Sequence, residues 1–129
     1  MTHFPQTNPS QRATRIQLGN TVPAMVMLAD GRRAKARIHT VSVTGGLLRL
    51  ARALSDGDFV EVAFQTQSGP VHGMAEMLHP TRSSEESVLQ AFRFIAMEDT
   101  DHKTLSFTVN ATSERNFLLG SNQYFNSRQ

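Results

Sequence analysis

The sequence predicts an all-β domain, a sandwich or a barrel of about six short strands, with one short helix near its end. Three observations predict it. Apolar residues alternate with polar ones in short segments, as they do when a strand buries one face. Turn-forming groups, Asp30-Gly31, Gly45-Gly46, Asp56-Gly57 and Ser68-Gly69-Pro70, punctuate those segments at regular intervals. Sustained helical periodicity is absent before residue 98.

Residues 1–14 are polar and contain Pro5, Asn8 and Pro9, which predicts a flexible N-terminal arm. Val22, Ala24, Val26 and Leu28 alternate as a first strand. In the next, Ala34, Ala36, Ile38 and Thr40 are assigned to one face and Arg33, Lys35, Arg37 and His39 to the other. Leu47 to Ala51 follow the glycine pair. Val60, Val62 and Phe64 then alternate with Phe59, Glu61 and Ala63. Val71 to Leu78 form a further strand, and the acidic loop Ser83-Ser84-Glu85-Glu86 leads into Val88 to Met97, where Phe92 and Phe94 share a face. Asp99 or Thr100 can cap a helix over about 100–110, with Leu105 and Val109 on one side. The domain is expected to span 15–110. In the tail, 111–129, the apolar cluster Phe117, Leu118, Leu119, Tyr124 and Phe125 predicts docking of Glu114 to Leu119 on the barrel or on a partner.

The chain of 129 residues is long enough for one core. It has no cysteine, which excludes disulfides and thiolate metal sites and fits a cytoplasmic protein. The N-terminal residues lack a signal-peptide pattern and no apolar run reaches the length of a membrane span, so membrane insertion is not expected. Net charge is +2, but residues 1–53 hold eight basic residues against one acid, and the remainder five against ten. A basic N-terminal half suits an anionic ligand or partner. There is no tryptophan and the aromatics pattern as core, so nucleic acid is not the expected partner.

Two motifs carry the functional reading. The first is the arm segment Gln11-Arg12-Ala13-Thr14-Arg15-Ile16. The second is Thr40-Val41-Ser42-Val43-Thr44-Gly45-Gly46. Together they resemble the R-x-x-x-R and [DN]-x-S-x-x-G pair of the PilZ family. The resemblance covers roughly residues 11 to 108, and other segments extend it. Leu54 to Val62 is similar to the family's L-x-x-G-x-x-V-x-V, and Phe92-Arg93-Phe94 to its closing strand. It implies a six-stranded antiparallel β-barrel with a short C-terminal α-helix, acting as a receptor for cyclic di-GMP.

The resemblance implies that the dinucleotide lies between the arm (Gln11, Arg12, Arg15) and the barrel wall (Thr40, Ser42, Gly45, Gly46). Guanidinium groups grip phosphate oxygens bidentately and also match guanine O6 and N7. A glycine lets backbone approach the ligand. Two positions depart from the family pattern: Gln11 replaces the first arginine, and Thr40 replaces the acid or amide. Each lost charge-assisted bond costs about 1.5–3 kcal/mol, or roughly ten- to a hundredfold in affinity.

Two readings lead at this point, and a nucleic-acid-binding barrel is a weaker third. In one the chain is a cyclic di-GMP receptor that signals to a downstream protein. In the other it is a degenerate PilZ domain that binds no dinucleotide and acts through protein–protein contacts of its basic strand face (Arg33, Lys35, Arg37) or its tail. Ser42-x-x-Gly45-Gly46 also has a purely structural reading, as a turn the barrel needs. Catalysis is not expected, because Ser42 has no His and Asp arrangement around it. His39, His72, His79 and His102 show no ligand spacing, so no metal and no cofactor beyond the dinucleotide ligand is expected. The methionines Met25, Met27, Met74, Met77 and Met97 read as adaptable core, and nothing in the sequence marks an oligomer.

Overall fold

Alternation is realised as a closed antiparallel barrel in a computed structural model that describes residues 2–3, 15–17, 22–83 and 87–112. The strands are β1 (Thr2–His3), β2 (Val22–Leu28), β3 (Arg33–Ser42), β4 (Gly45–Leu50), β5 (Phe59–Thr66), β6 (Gly69–Ser83) and β7 (Val88–Glu98). Helix α1 covers residues 99–112. The hydrogen-bonded order β4-β3-β2-β5-β6 is closed by β7, which pairs with both β4 and β6. Six strands thus form the barrel, and β1 adds to the end of β7.

A barrel this narrow is filled by side chains. Val26, Val62, Leu48, Ala75 and Phe94 point inward and are almost fully buried. Phe92 and Phe94 meet edge to face inside it, with ring centres 5.2 Å apart and planes at 84°. Gly73 lies under the Phe94 ring, where a Cβ would come within 3.0 Å of Cδ1. Met77 and Met97 belong to this core, but Met25 and Met74 face outward, 39% and 41% exposed. The core assignment of those two fails because their neighbours Ala24, Val26, Gly73 and Ala75 occupy the inner face.

One face assignment in β3 also fails. Ile38 pairs with Leu48, but Thr40 pairs with Leu47, leaving His39 as the extra residue of a β-bulge. The bulge reverses the alternation. Thr40 moves to the outer side with Leu47, and Val41 turns inward with Gly46. The sixth strand of the chain is longer than expected, Gly69–Ser83 rather than Val71 to Leu78, and bulges after Met74 and near Pro80 keep it paired with β7.

Two overhangs are covered by the N-terminal segment. The pairing of β2 with β3 stops at Val22↔Ile38, and Ile16 bridges Val41 beyond that point. β7 runs past the end of β4, and β1 pairs there, Thr2 with Glu98 and His3 with Met97. The rest of the expected arm, including Gln11 and Arg12, lies outside the described residues, as does the expected docking segment Glu114 to Leu119.

Helix α1 covers one end of the barrel. Leu105 and Val109 are buried against the core, and each such side chain contributes about 1.5–3 kcal/mol. The Thr108 hydroxyl lies 3.1 Å from that of Thr66 and 2.9 Å from the Thr104 carbonyl, tying the helix to the β5–β6 hairpin. The His72 backbone N–H donates to Asp101 Oδ1 at 3.0 Å on the same side. No helix among the described residues is long and apolar enough to cross a membrane.

At the β2–β3 turn, Gly31 adopts φ +90°, and Asp30 folds back on the chain. Its carboxylate accepts the Arg32 backbone N–H at 3.0 Å and Arg32 Nε–H at 2.6 Å. The backbone bond chiefly, helped by the guanidinium, holds this carboxyl below its ordinary 3.8. A folded value below the unfolded one stabilises above the ordinary carboxylate range, and the effect is lost as pH falls through the folded value. Asp30→Asn is therefore expected to flatten the acid limb of the stability curve below about pH 4, with little change at neutral pH because the pair is solvated. Identical acid limbs in thermal unfolding scans of the two proteins would refute this.

Candidate functional site

The site is assembled at the end of β3, where the bulge has turned Thr40 outward. Ile16 N–H donates to the Val41 carbonyl at 2.8 Å, and Val41 N–H donates to the Ile16 carbonyl at 2.9 Å. The Ile16 side chain, 4% exposed, enters the core. Its burial and these two bonds seat the segment on the barrel. Arg15 and Gln17 then point away from the core and are exposed. The antiparallel register sets Arg15 across from Ser42 and Gln17 across from Thr40.

Ser42, Gly45 and Gly46 form the wall beside them. The Ser42 hydroxyl is buried and engaged locally. It accepts the Thr44 backbone N–H at 3.2 Å and lies 3.1 Å from the Thr44 hydroxyl and 3.3 Å from the Gly45 carbonyl. The β5–β6 hairpin repeats the device: Thr66 Oγ1 accepts Ser68 N–H at 3.1 Å and donates to the Gly69 carbonyl at 2.8 Å. This is a hydroxyl-closed turn, and it accounts for the serine and the glycine three residues later without a ligand.

The glycine pair has a packing cause as well. A Cβ on Gly45 would overlap the Phe92 carbonyl oxygen of β7, and one on Gly46 would overlap the Thr40 carbonyl oxygen of β3. Bare backbone lets β4 enter between its two neighbours. Thr40 is different, because its Oγ1 is buried and has no hydrogen-bond partner among the described residues. A buried hydroxyl without a partner is uncommon and calls for an explanation.

The register brings in one cation that spacing along the sequence did not reveal. Arg93 pairs with Gly45 across β4 and β7, and its guanidinium bonds Glu76 on β6. Arg15, Ser42, Gly45, Arg93 and Glu76 thus lie in one row around the outer wall. Only the strand order could have disclosed Arg93, which is far from both motifs in the chain. Of the seven residues expected at the site, the structure brings Arg15, Thr40, Ser42, Gly45 and Gly46 together, and Gln11 and Arg12 fall outside the described residues. No three His, Asp or Glu side chains converge as a metal site among the described residues.

Neither a family model nor a curated protein sequence matches the chain. Solved structures do match it. The PilZ domain of YcgR from Escherichia coli with c-di-GMP superposes with a TM-score of 0.66 at 18% identity, over 86% of this chain and 97% of that one. YcgR from Escherichia coli in complex with c-di-GMP gives 0.70 at 20% identity, over 88% of this chain but 50% of that one, so this chain spans half of that protein. The PilZ domain of CeSA from a cellulose-synthesizing bacterium gives 0.56 at 17% identity, over 77% and 97%. A six-stranded barrel closed by its last strand and covered by one helix, matched over most of its length by these domains, means that the chain has the PilZ-domain fold.

Proposed function

We propose that this protein is a non-catalytic receptor for cyclic di-GMP that holds the dinucleotide between Arg15, with Gln11 and Arg12, and the wall of Thr40, Gly45 and Gly46, and reports its presence to a partner protein. The observation that carries this reading is the Ile16–Val41 bridge, which seats the exposed Arg15 across from Ser42, on the same outer face as Thr40, whose hydroxyl has no partner among the described residues. Arg15 supplies the fork for a phosphate or a guanine edge. The Thr40 hydroxyl can accept from a guanine N–H or donate to a phosphate oxygen. Two neighbours of the same fold carry c-di-GMP in their structures, which supports the ligand class. Ser42 acts here as the turn that shapes the wall, with its hydroxyl already engaged.

Titration calorimetry with cyclic di-GMP tests the reading. Saturable binding is expected, and Arg15→Ala is expected to weaken it by roughly ten- to a hundredfold through loss of a charge-assisted bond. Unchanged affinity in that variant would remove Arg15 from the site. No heat at high ligand concentration, with a folded protein, would favour the second reading. In that reading the chain is an adaptor without a dinucleotide, and it is the engagement of Ser42 in a turn repeated at Thr66–Gly69 that favours it.

A further inference from the structure

A second concave region lies on the outer wall of β2, β3 and β4, about 16 Å along β3 from the turn at Ser42. It is an open groove of about 580 Å³. Pro23, Met25 and Ala63 give its lining an apolar part, and Lys35, Arg37 and Arg49 a cationic part. The cations are placed by register: Arg37 pairs directly with Arg49, and Lys35 pairs with Met25. Like charges opposite each other across a sheet are destabilising. Among the described residues, Lys35, Arg37 and Arg49 form no ion pair with a carboxylate. Arg49 is instead held by a 2.9 Å bond from Nη1 to the Ser87 hydroxyl, which fixes its charge at the groove. A local rule broken without a compensating contact among the described residues points to a position kept for something else.

We infer that this groove is a second binding site, separate from the arm and the turn, for an extended acidic segment of a partner protein. Lys35 and Arg37 are alternate residues of one strand, so their side chains rise about 7 Å apart. An extended peptide presents its own alternate side chains at the same interval, which matches Asp or Glu at every second position to these cations. The apolar part of the lining includes Met25, which can adapt to the chain lying on it. A nucleic acid fits less well, because no aromatic ring among the described residues lines the groove for a base to stack on. An enclosed small ligand fits less well too, because an open trough leaves most of it in water.

The probe is a fluorescein-labelled peptide of alternating Glu and Ser, followed by anisotropy with the full chain at low salt. Saturable binding is expected, weakened about tenfold in the Arg37→Gln/Arg49→Gln double variant and unchanged in Arg15→Ala. Equal binding by the double variant, absence of saturable binding, or tighter binding of a single-stranded oligonucleotide of the same charge would each overturn the inference. Folding of the double variant is a second readout. Relief of the like-charge pair is expected to raise its Tm by roughly 1–2 °C, and a lower Tm would assign the arginines to the fold instead. Cyclic di-GMP affinity measured on the same proteins separates failure here from failure at the Arg15 site.

Discussion

Replacing Gln90 by leucine is expected to lower the stability of the barrel by about 3 kcal/mol or more, a large share of what a domain of this size has. Gln90 is fully buried among apolar side chains. Its amide works as a piece of strand. Oε1 accepts the Leu54 N–H at 2.8 Å, and Nε2 donates to the Leu54 and Leu78 carbonyls, both at 2.8 Å. The loop between β4 and β5 is thereby stitched to β6 and β7. Leucine keeps the volume but leaves one backbone donor and two acceptors without partners. Gln90→Glu is the sharper variant. A carboxylate accepts from Leu54 N–H but faces two carbonyls with nothing to donate, so burial raises its folded pKa. The sign follows: the variant is most stable below the unfolded value of about 4.3 and loses stability as pH rises towards the raised folded value. Urea unfolding between pH 4 and 8 reads this directly, and a flat profile for Gln90→Glu would sink it.

Gly46→Ala is expected to cost about 3–5 kcal/mol, in the range of severe backbone clashes. The methyl group would meet the Thr40 carbonyl oxygen, and backbone cannot step aside as the end of a side chain can. Relief requires β4 to leave β3 at the Ser42–Gly45 turn. Gly31→Ala is the contrast. Nothing lies within 4 Å of a Cβ there, and its φ of +90° costs only about 1 kcal/mol. Comparing unfolding midpoints of the two variants separates the causes. If Gly46 is bare only so that a ligand can approach, Gly46→Ala will unfold like the wild type and lose ligand binding alone.

Much of the barrel was legible because a strand with one buried face must alternate. Val22 to Leu28, Val60 to Phe64 and the shared face of Phe92 and Phe94 all follow from that period. The helix followed from its apolar spacing, expected over about 100–110 and found over 99–112. The bulge at His39 was hidden, because one extra residue is decided by what the partner strand presents, and Thr40 consequently changed sides. Gln90 was hidden because a glutamine on the inner face looks like an interruption of the pattern until its three backbone partners are known. Arg93 beside Gly45, and Arg37 opposite Arg49, depend on register between strands distant in sequence. In the first motif the cations are the conspicuous residues, whereas Ile16, the apolar residue next to Arg15, does the seating.

Closure of the barrel also limits how anything can be recruited to it. Each of the six barrel strands has a hydrogen-bonded neighbour on both sides, and the overhangs of β3 and β7 are taken by Ile16 and β1. Strand addition, the route by which extended peptides and aggregating chains grow onto open sheets, finds no template along the barrel. Recognition must then run through side chains that stand on an intact wall. Surface substitutions can therefore abolish binding of a partner while leaving the folded scaffold untouched, so that the faces of the wall can be tested one at a time.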